Sequence, residues 1–169
     1  MTEFDQALAI TLKFEGGWAD DKDDPGGQTM RGVTQRVYDA YLIDHGLEHK
    51  SVREISDKEL TAIYYYNYWR PAGCDSLAWP LSLYVFDFAV NSGVSRAIVA
   101  LQQCVGVKAD GRFGPVTLEA AQMRTPKHLA VALLDARKKY LEDIARLNPA
   151  QTKFLPQWLK RVELLRVRI

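Results

Sequence analysis

Helix start and stop signals recur along the whole chain and restrict it to a series of short helices. Thr2 and Asp5 form a capping box for a helix that ends near Glu15, where two glycines stop it. A second capping box occupies residues 56–59. Proline or asparagine–glycine signals mark further boundaries at Pro71, Pro80, 91–93, Pro115, 125–126, 148–149 and Pro156. We therefore predict a predominantly α-helical α+β fold, with at most a small β-hairpin in the turn-rich residues 18–33.

Length and composition indicate an ordinary globular protein. The 169 residues fit one compact domain, and a net charge of +1 gives no argument for binding nucleic acid. We expect a monomer. Two cysteines, Cys74 and Cys104, are too few for a disulfide framework, so we expect reduced thiols, with a bridge formed after release as the alternative. The first residues lack the features of a signal peptide, and no apolar stretch suits a membrane span, so we expect synthesis in the cytoplasm.

Two carboxylates in contrasting settings form the candidate catalytic pair. Glu15 lies between Phe14 and Trp18 at a predicted helix C-terminus, where the helix dipole and the aromatic rings favour its protonated form. Asp24 follows nine positions later in an acidic turn, where a carboxylate should stay ionised. Glycosidases use two carboxyl groups that differ in this way. The alternatives are an ordinary glutamate at a helix end and an Asp-Pro turn.

The glycines of the same region suit a close approach of the backbone to a ligand. Gly26, Gly27 and Gly32 follow the acidic turn, and glycine readily adopts a positive φ. We interpret them as allowing the backbone to approach a sugar, or as forming a tight turn.

Aromatic residues and an amide extend the candidate binding surface. Residues 64–69 carry five aromatic rings, most of which we expect in the core, with Tyr68 and Trp69 as the candidates for a saccharide groove. Asn91 stands at a predicted helix end, where it would donate to an acetamido carbonyl or cap the helix.

The order of these motifs resembles glycoside hydrolase family 108, N-acetylmuramidases of phage and prophage endolysins. The matching segments of its catalytic part are residues 15–18, 24–29 and 32–34. Residues 68–71, 87–93 and 110–117 look like the attached peptidoglycan-binding half. The resemblance implies a lysozyme-like catalytic region over residues 1–90 and a helical peptidoglycan-binding region over 91–169, packed into one compact unit.

The resemblance also implies a reaction and its residues. The reaction is cleavage of the β-1,4 bond between N-acetylmuramic acid and N-acetylglucosamine in peptidoglycan, with Glu15 as the catalytic acid. Phage-type lysozymes place an aspartate nine positions after that glutamate, which matches Asp24, and a threonine six positions further, where this chain has Met30. Thr29 is one position short and becomes the candidate. Trp18 and Thr34 belong to the same motifs and are candidates for substrate binding.

The expected site of action is the cell wall, reached from the cytoplasm by holin-type release. Two other functions stay open: a non-catalytic peptidoglycan-binding or secretion-accessory protein, and a lytic transglycosylase that uses Glu15 alone. We expect no cofactor and no metal, because the His45–His49 pattern lies in a polar, glycine-containing segment and the acidic run lacks the spacing of a calcium loop. The last helix has an apolar side around Trp158 and several cations, so weak contact with membrane or lipopolysaccharide is a further hypothesis.

Overall fold

The computed structural model describes residues 1–20 and 28–167, and the chain divides into two compact units, Met1–Asn67 and Tyr68–Ile169. Across the described residues there are eight α-helices and one small three-stranded sheet. The prediction of a predominantly helical α+β fold is therefore confirmed, with a three-stranded meander in place of a single hairpin. None of the helices in the described ranges has both the length and the apolar character needed to cross a membrane.

The first unit combines three helices with the sheet. Its elements are α1 (Glu3–Glu15), β1 (Trp18–Ala19), β2 (Thr29–Met30), β3 (Val33–Thr34), α2 (Gln35–Asp44) and α3 (Asp57–Tyr64). The three strands are antiparallel to their neighbours and lie in the order β1-β2-β3. The sheet thus connects the end of α1 to the start of α2.

Side-chain caps begin all three helices of this unit. The Thr2 hydroxyl accepts from the Asp5 amide at 3.1 Å, and the Asp5 carboxylate accepts from the Thr2 amide at 2.8 Å. Ser56 and Glu59 form the same reciprocal pair ahead of α3. Thr34 caps α2 by accepting from the backbone of its first turn. Each such cap is worth about 1 kcal/mol, so local sequence fixes where these helices start.

The helix that begins after the second capping box changes type before it ends. Regular α-helix ends at Tyr64, and Tyr65–Trp69 is π-helical. Tyr65 packs edge-on against Phe4, with ring centroids 5.2 Å apart. π-Helical turns are rare and frequently lie at functional sites.

The second unit is all helical and is built around one buried helix. Its elements are α4 (Leu81–Ser92), α5 (Val94–Val105), α6 (Pro115–Gln122), α7 (Pro126–Leu147) and α8 (Leu155–Arg166). Residues 81–89 of α4 are all buried, and α5 and α7 pack against this helix. A helix that is apolar on every side belongs in a core, which explains its central place.

A buried ion cluster links three helices of the second unit. Asp87 on α4 is fully buried and lies 2.7 Å from Arg137 Nη1 on α7. Arg161 on α8 donates to both Asp87 oxygens, at 2.9 and 2.8 Å. Burial alone would raise the pKa of Asp87, but the two guanidinium groups outweigh it and hold that pKa below its usual value. The cluster therefore contributes to stability only while Asp87 is ionised.

The segment of residues 110–117 is organised by a single buried amide. Gln102 on α5 accepts from the Gly111 backbone at 2.9 Å and donates to Asp110 at 2.9 Å and to Thr117 at 3.1 Å. A Cβ on Gly111, where φ is +73°, would overlap the Ser95 hydroxyl. These contacts give Asp110, Gly111 and Thr117 of this motif a structural role in the fold.

The last helix, α8, is docked along its apolar side. Val162 and Leu165 are fully buried, and Tyr84 donates from its hydroxyl to the Leu165 carbonyl at 3.0 Å. This packing accounts for the apolar side of the helix.

Both cysteines are free and lie in the second unit. Cys74 is buried and Cys104 is half-buried. Burial raises the pKa of both thiols, so neither has the thiolate character of a reactive cysteine.

Candidate active site

Glu15 is the last residue of α1. The helix stops directly after it because Gly16 adopts a φ of +72°, and Gly16 serves as the C-cap. The Glu15 side chain is half-buried, with the Oε1 oxygen shielded from solvent. The predicted position of the candidate acid at a helix C-terminus is thus what the structure contains.

A tight hairpin turn packs against the Glu15 carboxyl group. β2 and β3 are joined by Arg31 and Gly32, whose φ angles are +50° and +81°. Two consecutive positive φ values are typical of the type I′ turns that close two-residue hairpins. A Cβ placed on Gly32 would lie 3.0 Å from Glu15 Oε2 and 3.2 Å from Glu15 Cβ. The tight turn expected at Gly32 is therefore present, and its backbone approaches Glu15, whereas an approach to a sugar stays a prediction.

The same turn is anchored to both ends of α3. Tyr64, at the end of α3 and 1% exposed, donates from its hydroxyl to the Arg31 carbonyl at 2.8 Å. The Arg31 guanidinium pairs with Asp57, the first residue of α3, at 2.5 Å. A Cβ on Gly32 would also overlap the Tyr64 hydroxyl. Helix α3 thus holds the turn in place, and the turn lies against Glu15.

Tyr64 and Arg31 belong to the surroundings of Glu15 in this candidate site, and the sequence analysis did not single them out. Arg31 also donates from its backbone N–H to the Gly17 carbonyl at 3.0 Å, which ties the turn to the segment just after Glu15. The sequence signal for Arg31 was the glycine at position 32. A type I′ turn has a positive φ at both central residues, so the residue before that glycine takes a positive φ as well.

The register of the sheet places the remaining candidates of this region on two faces. Trp18 pairs with Met30, and Met30 with Val33, so these three side chains share one face. Thr29 pairs with Thr34 and lies on the other face. The Thr34 hydroxyl accepts from the Val37 amide at 3.3 Å as the cap of α2. Thr29 and Met30 therefore point in opposite directions.

Trp18 is half-buried and has a cation over its ring. The Arg53 guanidinium lies 5.3 Å from the ring centroid, a distance typical of a cation–π contact. Arg53 is exposed and follows Val52, which is fully buried. One face of the Trp18 ring is thus occupied within the protein.

Asp24, Gly26 and Gly27 lie outside the described residues. The chain that carries them leaves β1 after Ala19 and returns at β2. Gln28 donates from its side chain to Asp20 at 3.3 Å across the base of this connection. Their roles stay predictions.

Trp69 is a core residue, contrary to the choice made from the sequence. It is 2% exposed, its indole N–H donates to Asp75 at 2.7 Å, and its ring meets Phe86 edge-on at 5.4 Å. A ring packed in this way presents no face to a sugar. Tyr68, beside it in the π-helical turn, is half-buried. The physical reason is that the change from α- to π-helix alters which side chains face inward.

Asn91 takes part in the buried ion cluster. Its carbonyl oxygen accepts from Arg137 Nη2 at 3.0 Å and from the Ser92 hydroxyl at 3.2 Å. Gly93, with a φ of +94°, is the C-cap of α4, so the alternative role of Asn91 as the capping residue is wrong. Its proposed donation to an acetamido group stays a prediction.

The two histidines of the discounted zinc pattern have separate partners. His45 Nδ1 lies 2.8 Å from the Tyr41 carbonyl, and His49 Nδ1 lies 3.0 Å from the Asp39 carboxylate. In residues 1–20 and 28–167, no group of three or more His, Cys, Asp or Glu side chains is arranged to hold a metal ion.

Comparison with known proteins identifies the class to which this site belongs. Residues 8–93 match the family model described as Glycosyl hydrolase 108, and residues 96–163 match one described as Predicted Peptidoglycan domain. The protein is thus a glycoside hydrolase that acts on peptidoglycan. It belongs to glycosyl hydrolase family 108, as the resemblance of its motifs implied.

A solved structure is similar to this chain over nearly its whole length. The structure of SagA from Brucella abortus shares 32% sequence identity, with a TM-score of 0.82. The similarity covers 98% of this chain and 92% of that one. The search of curated proteins gave no match.

The family models and the compact units divide the chain at different places. The two models meet between residues 93 and 96, close to the predicted boundary at residues 90–91. The compact units meet between Asn67 and Tyr68. The segment from residue 68 to 93 therefore matches the hydrolase model while forming part of the helical second unit.

Proposed function

We propose that this enzyme is an endolysin-type muramidase that hydrolyses the β-1,4 bond between N-acetylmuramic acid and N-acetylglucosamine, with Glu15 as the general acid. The observation that supports this role is the packing of the Glu15 carboxyl group against the Gly32 turn, which Tyr64 anchors. A glycosidic oxygen is a poor leaving group, so the acid must be held in a fixed position where it can donate its proton. A half-buried carboxyl with one oxygen against the backbone meets this need.

Asp24 and Thr29 are the proposed partners of Glu15. Asp24 would stay ionised and either activate water or stabilise the oxocarbenium-like transition state. Thr29 would help to place the attacking water, and Thr34, on the same face of the sheet, would contact the sugar. Trp18 lies on the opposite face, so its contact with a sugar stays a separate prediction. Replacing Asp24 by Asn should lower turnover about 10²-fold or more if it acts in acid–base catalysis. Full activity in Asp24→Asn would instead favour a mechanism that uses Glu15 alone.

The decisive experiment is mass spectrometry of the muropeptides released from purified peptidoglycan. Reducing ends on N-acetylmuramic acid are expected. Reducing N-acetylglucosamine ends would place the cut at the other β-1,4 bond, and 1,6-anhydro ends would show a lytic transglycosylase.

Glu15→Gln tests the assignment of the acid. This variant should abolish release while wall binding persists, because the amide keeps the shape of the side chain and removes its proton-donating ability. Glu48→Gln is the matched control, since Glu48 is exposed on the same unit, and it should retain full activity. Lysis by the Glu15→Gln variant would contradict the assignment.

The proposal extends to where the enzyme acts. An endolysin acts on the cell wall after release from the cytoplasm through a holin-type pore, and we propose this route and a monomeric state for the protein. Weak contact with lipopolysaccharide would involve the exposed cations of α8, such as Lys160, because the apolar residues Val162 and Leu165 are buried. Phage origin belongs to the same proposal.

A further inference from the structure

A groove between α5 and α7 in the second unit combines aromatic and cationic side chains. Its volume is about 270 Å³. Arg96 and Gln103 line it from α5, Lys139 and Tyr140 line it from α7, and Phe88 on α4 forms part of its wall. A concave site with an aromatic wall and a few polar groups is the usual form of a binding site for a small ligand or a segment of a polymer.

A stack of two aromatic rings between two guanidinium groups stiffens this groove. The Arg96 guanidinium lies 4.9 Å from the Tyr140 ring, and the Tyr140 and Phe88 rings are 5.8 Å apart. On the inner side, the Arg137 guanidinium lies 5.2 Å from the Phe88 ring, and Arg137 is bonded to the buried Asp87. The stack therefore runs from the buried ion cluster to the surface. Arg96 is placed before any ligand arrives, which lowers the entropic cost of binding.

The charge of the groove favours an anionic ligand. Arg96 and Lys139 are exposed cations on opposite walls. The acid among the lining residues, Asp143, is paired with Arg146 at 2.8 Å, so its charge is largely compensated. The groove thus presents two cations and a neutral amide, the groups that bind carboxylates.

We propose that this groove binds the carboxylate-bearing peptide stem of peptidoglycan. Uncharged glycan strands offer little to two cations, whereas the peptide stems carry free carboxylates at regular intervals along the wall. The groove lies within residues 88–143, almost all of it in the part that matches the peptidoglycan domain. The inference rests on the proposed function in that it takes the enzyme's own substrate as the ligand. It adds which part of the polymer the second unit holds and with which residues.

The test measures binding by the full chain in the Glu15→Gln background, so that the ligand is not cleaved. The probes are a purified disaccharide-tetrapeptide muropeptide and an uncharged oligomer of N-acetylglucosamine. The double variant Arg96→Gln/Lys139→Gln should bind the muropeptide about tenfold more weakly, as expected for the loss of two charge-assisted contacts at a surface. Its binding to the uncharged oligomer should not change. The affinity of the parent protein for the muropeptide should also fall as sodium chloride is added.

Two control proteins separate the groove from net charge. Arg124→Gln/Lys127→Gln removes the same two charges from exposed positions of the same unit outside the groove, and it should bind like the parent. Arg96→Lys/Lys139→Arg keeps both charges and should retain most of the affinity. Because Lys139 is exposed, the single variant Lys139→Gln provides a measurement even if the double variant folds poorly.

Each outcome bears on the proposal. Equal binding of the muropeptide by the groove variant and the parent would overturn it, as would an equal loss on the uncharged oligomer, which would make the groove a sugar site. An equal loss of muropeptide affinity in the Arg124/Lys127 control would show that net charge alone causes the effect, which would also overturn the proposal. Failure of the proposed function gives a different result. A protein that releases no muropeptides and binds neither probe contradicts both proposals. Normal release, together with unchanged muropeptide binding by the groove variant, contradicts only the proposal about the groove.

Discussion

Substituting Gly32 by alanine tests whether the turn at residues 31–32 positions the catalytic acid. The new Cβ would lie 3.0 Å from Glu15 Oε2, 3.2 Å from Glu15 Cβ and in overlap with the Tyr64 hydroxyl. Alanine would also have to adopt a φ of +81°. The substitution therefore combines backbone strain with a displacement of the groups around the carboxyl.

The magnitudes of the two effects can be worked out separately. A left-handed conformation costs a residue with a Cβ about 1–2 kcal/mol. Moving the Tyr64 hydroxyl away breaks its bond to the Arg31 carbonyl, which costs about 1–2 kcal/mol more when the groups are buried. We expect Gly32→Ala to lower the free energy of unfolding by about 2–4 kcal/mol. Peptidoglycan hydrolysis should fall about tenfold or more at a temperature where the variant stays folded, because small misplacements of a catalytic group are costly.

Gly46→Ala is the matched control. Gly46 lies on the same unit with a φ of +64°, but a Cβ there would meet nothing within 4 Å. It should therefore show the conformational strain alone, at about 1–2 kcal/mol, with normal activity. The assays are urea unfolding and the rate of muropeptide release. Equal stability losses in the two variants, or normal activity in Gly32→Ala, would refute the argument that the turn positions Glu15.

Two further predictions concern stability. Asp87→Asn leaves two buried guanidinium groups without their counter-charge and should cost about 3–5 kcal/mol in urea unfolding, whereas Asp143→Asn breaks only a surface pair and should cost less than about 1 kcal/mol. Similar losses of unfolding free energy in the two variants would contradict the argument that burial makes the Asp87 pair more costly to break. Burial alone would raise the pKa of Glu59, but Lys50 and the α3 cap lower it from 4.5 to about 2, so the ionised form stabilises the fold above pH 4.5 and this contribution is lost as the pH falls towards 2. Glu59→Gln should therefore lose less stability than the parent over that pH range. An unchanged slope of the free energy of unfolding against pH would contradict this prediction.

The helices were predictable because their boundary signals are local. A capping box or a proline acts within one turn of helix, so the starts of α1, α3 and α7 could be placed from a few neighbouring residues. The change to π-helix after Tyr64 has no such local signal. It moved Trp69 into the core, and a choice based on residue type alone could not foresee that.

The candidate acid was also predictable, but its surroundings were not. Glu15 was found from the glycines that end its helix, which again is local information. The turn that packs against it contains Gly32 and is anchored by Tyr64, which are 17 and 49 positions further along the chain. A tyrosine at the end of a helix has many possible partners, and only the packing of α3 beside the hairpin selects the Arg31 carbonyl.

The threonine of the proposed mechanism shows why a motif spacing taken from other lysozymes is a poor guide to the equivalent residue in a β-strand. Side chains alternate between the two faces of a strand, so a shift of one residue reverses the direction of a side chain. Met30, at the expected threonine position, pairs with Val33 and shares its face, while Thr29 pairs with Thr34 on the opposite face. Val33 is 2% exposed, so the Met30 face is the one that packs inward at this point. Thr29 therefore replaces the expected threonine only if the substrate lies along the face that Thr29 and Thr34 share, and this condition ties the role of Thr29 to the register of β2 and β3.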